Sequence, residues 1–191
     1  MTVDTSHEEE PTRRDFIHLL AGSVTAVGAA GFVWPLVSQM NPDASVLALS
    51  STEVDLSDVP VGSAIKVIWQ KKPVFIRHRT AAEIAESEST SLDQCKDLKA
   101  RNENLNGEPV PSDENRRFKP EWMIVVGVCT HLGCIPLGTD DGENRGIFNG
   151  WFCPCHGSHY DIAGRIRQGP APENLLVPPY EFLTDTKIKI G

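Results

Sequence analysis

The chain is short of positive charge: 18 lysines and arginines stand against 26 aspartates and glutamates, for a net charge of −8 over 191 residues. That deficit argues against a nucleic-acid partner. Cysteine is scarce as well. Five are too few for a disulfide scaffold, and four of the five fall in two short runs, so they are organised around a site. The fifth, Cys95, lies in a polar stretch and reads as a bystander thiol. No internal repeat occurs, and neither a GxGxxG run nor a phosphate-binding glycine loop is present.

Formal charge is missing altogether from residues 17–37, where His18 is the only strongly polar side chain. About 20 apolar residues cross a bilayer core as a helix, whereas the apolar region of a secretory signal is usually about 7–15 residues. The length therefore predicts a retained transmembrane helix over 17–37. Gly22, Gly28 and Gly31 suit close packing against other helices. Trp34-Pro35 is expected to mark the membrane interface and the helix exit. Arg13 and Arg14 place residues 1–16 in the cytoplasm and everything beyond the span outside it. Thr12-Arg13-Arg14-Asp15-Phe16-Ile17 resembles a twin-arginine export signal, an address read by a receptor that passes proteins already folded. Val46-Leu47-Ala48 also offers a small-residue cleavage site. Residues 38–50 have no strong period and contain the Asn41-Pro42 turn signal, so they read as a linker, either a hinge or a fixed spacer.

From Ser51 onward the pattern is β, which predicts one outer domain over 51–191. The runs 65–69 and 73–77 suggest a hairpin across Gln70-Lys71-Lys72. Residues 122–128 are nearly all apolar, as in a buried strand, and 146–152 form another strand leading into the second cysteine run. Residues 186–190 alternate as a half-exposed terminal strand. Thr80 to Glu86 predicts a short helix with Thr80 and Glu83 as a capping box. Ser87 to Pro120, rich in Asn, Asp and Pro, reads as a long excursion at the surface.

The chemistry concentrates in Cys129-Thr130-His131-Leu132-Gly133-Cys134 and Cys153-Pro154-Cys155-His156-Gly157-Ser158. Cys129 and His131 are two apart, and Cys153 and His156 three apart, which loops can turn inward together. Gly133, Pro154 and Gly157 favour tight, preset loops. Each run follows a predicted strand, so a rigid sheet would hold both loops side by side. The count suits an iron–sulfur cluster with mixed ligands, cysteine on one iron and histidine on the other. A structural zinc site is the alternative; it would use four of the six groups and leave two cysteines idle.

Cys-Thr-His-Leu-Gly-Cys and Cys-Pro-Cys-His-Gly-Ser-His-Tyr-Asp resemble, residue for residue, the two cluster-binding boxes of the Rieske family. The resemblance implies a mostly β fold: an antiparallel β-sandwich with a small cluster-binding subdomain near 122–175, plus one N-terminal transmembrane helix. It implies one [2Fe–2S] cluster, with Cys129 and Cys153 on one iron and His131 and His156 on the other. By the same resemblance Cys134 and Cys155 form a disulfide between the loops. Ser158 and Tyr160 donate hydrogen bonds that stabilise the reduced centre. Gly169-Pro170-Ala171-Pro172 covers the cluster as a stiff third loop, and Leu132 is an exposed apolar contact for docking.

Two thiolates leave such a cluster formally neutral when oxidised, where four would make it an anion. An electron is then accepted more readily, and the family's potentials run roughly from −150 to +300 mV against about −400 mV for plant-type ferredoxins. Ferric charge disfavours a proton on the outer histidine nitrogen and reduction favours it, so electron and proton are accepted together. That is what a hydroquinone donates. Within the family, the anchor, linker and proline loop look like those of the iron–sulfur subunits of bacterial cytochrome bc1 complexes, which are quinol–cytochrome c reductases and proton translocases. The resemblance implies ubiquinol as donor, with His156 and His131 at the reacting face. It implies cytochrome b, cytochrome c1 and the membrane as partners within a dimeric complex, and a cluster domain on the periplasmic side of the bacterial inner membrane. The small subunit of an arsenite-oxidase-like enzyme and a cytochrome b6f-type plastoquinol oxidase are the alternatives. A soluble Rieske ferredoxin would lack the anchor and the Cys134/Cys155 pair, and a purely structural module would be redox-silent.

Overall fold

The computed structural model describes residues 12–43, 46 and 50–191, and the chain divides into two units, Met1–Val46 and Leu47–Gly191. The first contains the helix α1 (Arg13–Ser38). Thr12 starts it: Thr12 Oγ1 accepts the Asp15 N–H at 3.4 Å, and Asp15 Oδ2 accepts the Thr12 N–H at 2.8 Å. This capping box sets the arginine pair in the first turn. The expected span of 17–37 lies within α1, which is long and apolar enough to cross a bilayer. The expected exit at Trp34-Pro35 is corrected, because the helix continues past Pro35 to Ser38. Proline removes one hydrogen bond, yet its own carbonyl still accepts the Gln39 N–H at 3.0 Å, so the last turn closes. Residues 1–11 of the cytoplasmic segment, and residues 44, 45 and 47–49 of the linker and cleavage-site readings, lie outside the described residues.

The second unit is mostly β. Its strands are β1 (Thr52–Asp55), β2 (Ala64–Trp69), β3 (Lys72–His78), β4 (Trp122–Val126), β5 (Asn149–Cys153), β6 (Ser158–Asp161), β7 (Ile166–Gln168), β8 (Tyr180–Phe182) and β9 (Lys187–Ile190), with α2 (Ala81–Ser89) between β3 and β4. They form three antiparallel sheets of three strands, ordered β1-β9-β8, β2-β3-β4 and β5-β6-β7. The predicted hairpin is β2–β3, and Lys72 is in register with Trp69, which leaves a two-residue turn. Gln70 and Lys71 both take positive φ, 48° and 63°, the hand that matches strand twist. Every residue of β4 is buried, as its unbroken apolar run demands. Val74, Phe75, Ile76, Met123, Ile124, Val125, Trp151 and Tyr160 share the core.

The strand expected over 146–152 starts later, at Asn149. Gly146 and Asn149 adopt φ of +71° and +54°, outside the extended range, and the pairing with β6 shifts register between Asn149 and Trp151. The helix capped by Thr80 forms, with Thr80 and Glu83 bonded in both directions.

The segment from Ser87 to Pro120 is not a surface excursion. Cys95, Asp97, Ala100, Asp113 and Arg116 within it are buried. Polar sequence can be buried when its charges are settled internally. Arg116 donates to the carbonyls of Ala163, Leu175 and Ala100. Asp113 accepts from Arg79 at 2.6 Å, from Ser87 at 2.5 Å and from Arg117. Cys95 is shut in rather than presented to solvent, and burial pushes its thiol up.

Those guanidinium and hydroxyl partners overcome the burial of Asp113 and hold its carboxyl at about 2, below its ordinary 3.8. A carboxyl depressed in the folded state stabilises the fold fully above its unfolded pKa, and that stability is lost as pH falls toward the folded value, here about 2 kcal/mol between roughly pH 4 and pH 2. Asp113→Asn strands Arg79 and Arg117 and is expected to cost about 3 kcal/mol at pH 7. In urea titrations of the detergent-solubilised chain followed by tryptophan fluorescence, the gap to the parent protein should narrow below pH 4.

Candidate metal centre

Strand β4 delivers the first cysteine run and β5 the second. Gly127 and Val128 lead from β4 into Cys129, and a Cβ on Gly127 would lie 2.3 Å from the Phe75 ring, so only glycine passes there. Cys129 N–H donates to Cys134 C=O at 2.7 Å and Gly133 N–H to Cys129 C=O at 2.9 Å, which closes the first loop on itself. The second run is the turn of the β5–β6 hairpin: Cys153 and Ser158 are in register, and Gly157 N–H donates to Cys153 C=O at 3.0 Å. Leu137 and Phe152 exchange backbone hydrogen bonds of 2.7 and 2.9 Å, which fasten the first loop's exit to β5.

The four expected ligands sit at two depths. Cys129 and Cys153 are each 2% exposed. His131 is half-buried and His156 exposed, their ring centroids 4.6 Å apart and the rings nearly perpendicular at 86°. Burial, then the facing Cys129, pushes the Cys153 thiol up to about 12. Such a thiol ionises at neutral pH only against a strong positive centre, which a bound metal supplies. Two buried cysteines and two neighbouring histidines nearer the surface are a donor set whose chemistry fits a [2Fe–2S] cluster with mixed ligands.

A second grouping exists by proximity. The sulfurs of Cys134, Cys153 and Cys155 lie within 4.8 Å of one another. It fits a metal less well, because Cys134 and Cys155 face outward, no imidazole joins them, and the buried Cys129 goes unused. Cys155 lies beside Cys134 and pushes the Cys134 thiol up.

Around the sulfurs the hydroxyls are placed individually. Tyr160 Oη donates to Cys129 Sγ at 3.4 Å. Burial, then Cys129, pushes its phenol up, so it stays a donor. Ser158 is buried and its Oγ accepts the Ala171 N–H at 3.2 Å. Ala171 is fully buried while Pro170 and Pro172 are exposed, so Gly169–Pro172 lies as a cover whose middle faces inward. Leu132, between His131 and Gly133, is 70% exposed. Sequence reasoning missed Thr130. Its N–H donates to Tyr160 Oη at 3.2 Å and its Oγ1 to Glu173 C=O at 2.7 Å, which joins the first loop, the tyrosine and the covering loop. Its place inside the first run was the available signal.

Comparison with known proteins adds the family. The model described as "Ubiquitinol-cytochrome C reductase Fe-S subunit TAT signal" matches residues 3–43, and the one described as "Rieske [2Fe-2S] domain" matches residues 92–181. The chain is 52% identical over 182 residues to the ubiquinol-cytochrome c reductase iron-sulfur subunit of Rhodospirillum rubrum, covering 95% of this chain and 93% of that one. It is 48% identical over 192 residues to the subunit of the same name from Rickettsia felis, with 99% and 98% covered. Among solved structures, a chain of a hyperthermophilic respiratory Complex III aligns at 26% identity with a TM-score of 0.49, covering 90% of this chain and 98% of that one.

The two depths separate the cysteines by experiment. Cys129→Ser or Cys153→Ser is expected to abolish bound iron and labile sulfide and the visible colour, to below about a tenth of the parent content. Cys95→Ser, buried outside both cysteine runs, should leave all three unchanged. Metal analysis and absorption spectroscopy of the purified chain check both.

Proposed function

This chain belongs to the family of ubiquinol–cytochrome c reductase iron–sulfur subunits, and from that membership we propose that it takes one electron, with a proton, from ubiquinol at cytochrome b and hands the electron to cytochrome c1. It carries a Rieske domain whose cofactor is one [2Fe–2S] cluster. The observation that carries the reading is the depth of the donors: Cys129 and Cys153 are buried, whereas His131 is half-buried and His156 exposed, with their ring centroids 4.6 Å apart. When bound, the cluster supplies a one-electron acceptor of raised potential. Cys129 and Cys153 would hold one iron of the cluster, and His131 and His156 the other. Cys134 and Cys155, with sulfurs already close, form the disulfide that clamps the two loops.

The chain's own residues do the rest. His156, exposed at the tip, offers an outer ring nitrogen to the quinol hydroxyl, accepting its hydrogen bond and then its proton. His131 sits beside it at 4.6 Å between ring centroids, held deeper. Leu132 gives the tip an apolar contact with the partner's quinol pocket. Tyr160 and Ser158 direct hydroxyl hydrogens toward the sulfur side, which favours the reduced, more negative state. α1 anchors the chain in the bacterial inner membrane with Arg13 and Arg14 on the cytoplasmic side, so the cluster domain faces the periplasm. Residues 38–50 serve as the hinge on which that domain travels between the two cytochromes of a dimeric complex.

Redox titration of the membrane-bound protein, followed by electron paramagnetic resonance, tests the reading. A high midpoint potential and a spectrum that changes with quinone occupancy are expected; a spectrum indifferent to quinone would sink it. Ser158→Ala and Tyr160→Phe should each lower the midpoint potential and slow quinol oxidation by on the order of tenfold while the cluster content holds. Prolines at Ala44 and Ser45 should slow reduction of the c-type cytochrome without changing the potential.

A further inference from the structure

The covering loop is gripped from the side away from the cysteines. Lys96 Nζ donates to Gly169 C=O at 2.5 Å and to Ala171 C=O at 3.3 Å. The Lys96 backbone N–H donates to Ile166 C=O at 3.3 Å, which ties the lysine to the start of β7. On its other face the same loop meets the second cysteine run. Ala171 N–H donates to Ser158 Oγ at 3.2 Å. Gly169, at φ +103°, comes so close that a Cβ would lie 2.3 Å from the Gly157 carbonyl oxygen and 2.5 Å from Ser158 Cα. Residues 169–171 are therefore held between an ammonium and the β5–β6 turn.

The consequence falls on one hydroxyl. Serine has one hydrogen to donate and two lone pairs to accept with. The Ala171 N–H occupies a lone pair of Ser158 Oγ, and among the described residues no protein acceptor meets the Ser158 hydrogen. The direction left to that hydrogen depends on the direction of the Ala171 N–H, and so on how the loop carbonyls are held. We propose that Lys96 is a positioning residue: by holding the carbonyls of Gly169 and Ala171 it fixes the Ala171 N–H, and through it aims the Ser158 hydroxyl at the cluster. The inference rests on the reading of Ser158 as a donor that raises the potential. It assigns the segment before β4 a part in tuning the centre. Lys96 is an exposed residue outside the buried core, so its loss should leave the fold in place.

The test is a double-mutant cycle on the membrane-bound complex, read as midpoint potential and electron paramagnetic resonance spectrum. Lys96→Met should lower the potential in the direction of Ser158→Ala and by a smaller amount. Added to Ser158→Ala it should change nothing further, and Lys96→Arg, which keeps two donors for the two carbonyls, should restore the parent value. Amide hydrogen exchange gives a second reading that needs no electron: Ala171 N–H should exchange on the order of tenfold faster in Lys96→Met, the worth of about one hydrogen bond. If Lys96→Met lowers the potential equally with and without Ser158, the lysine acts as a bare charge and positioning is wrong. If Ser158→Ala lowers the potential and Lys96→Met does not, Lys96 alone is misassigned. If Ser158→Ala leaves the potential unchanged, the tuning reading of Ser158 fails and the inference goes with it. Unaltered exchange at Ala171 would overturn the grip itself.

Discussion

The site depends on the backbone pair between Leu137 and Phe152. Their reciprocal hydrogen bonds, 2.7 and 2.9 Å, join the exit of the first cysteine loop to the strand that enters the second. Along the chain the two runs are joined by a stretch with no strand of its own before Asn149, and the freedom of such a stretch opposes closure, which the pair shortens. The stretch is restrained from within. Glu143 accepts the N–H groups of Gly138, Thr139 and Asp140 at 2.8, 3.0 and 3.0 Å, so one carboxylate folds three successive amides around itself. Lys66, from β2, holds Asp140 at 2.5 Å, and Trp151 Nε1 donates to Thr139 Oγ1 at 3.2 Å. The stretch is thus held both by its own hydrogen bonds and by contacts from β2 and β5, in addition to the Leu137–Phe152 pair.

Given that frame, the depth of each donor follows from its position on a strand or a turn. Cys153 ends β5 and Cys129 follows β4 by two residues, so both inherit the burial of the sheets. His131 and His156 lie beyond, where the chain is already turning, and emerge outward. Tyr160, on β6, donates its hydroxyl to Cys129 Sγ, and the Thr130 N–H donates to that same hydroxyl from the first loop at 3.2 Å. A redox centre needs its sulfur side dry, so that hydrogen bonds and charge act at low dielectric, and its exchanging side open. The hairpin geometry satisfies both demands with one turn.

The parts of this arrangement that were legible in the sequence are those whose signal is local. The two cysteine runs, the capping box of Thr80 and Glu83, the two-strand hairpin around Gln70 and the apolar run of β4 each depend on neighbours within a few residues, where periodicity and capping rules operate. The ligand pairing itself came from resemblance, and the structure contributes proximity and burial. What was not legible is set by distant partners. The start of β5 falls at Asn149 because Gly146 and Asn149 take positive φ, and Gly150 then lies so close to β6 that a Cβ there would sit 2.2 Å from the Asp161 backbone, a contact that no local pattern announces. The Ser87–Pro120 segment misled because composition was taken for exposure, although its arginines and aspartates find each other across the fold. Lys96 is written as one lysine among many, and only its reach to Gly169 and Ala171 distinguishes it.

That polar segment bears on why an acidic chain buries so many arginines. Arg165 bonds Asp161 at 2.7 Å and reaches the Ser87 carbonyl at 3.0 Å; Ser87 bonds Asp113, and Asp113 bonds Arg79. The chain of contacts runs from β6, which carries Ser158 and Tyr160, through the end of α2 to the segment after β3. Burying these ions costs desolvation that only complete pairing offsets, and truncating any one of them strands the next. Arg116 extends the logic without a carboxylate, since three carbonyls from Ala100, Ala163 and Leu175 take its donors. Apolar packing tolerates small slides between sheets, whereas a guanidinium shared among three fixed carbonyls does not. The strand bearing Tyr160, whose hydroxyl meets Cys129 Sγ, is therefore held in position by directional polar contacts, which is the condition for such a hydrogen bond to keep one strength.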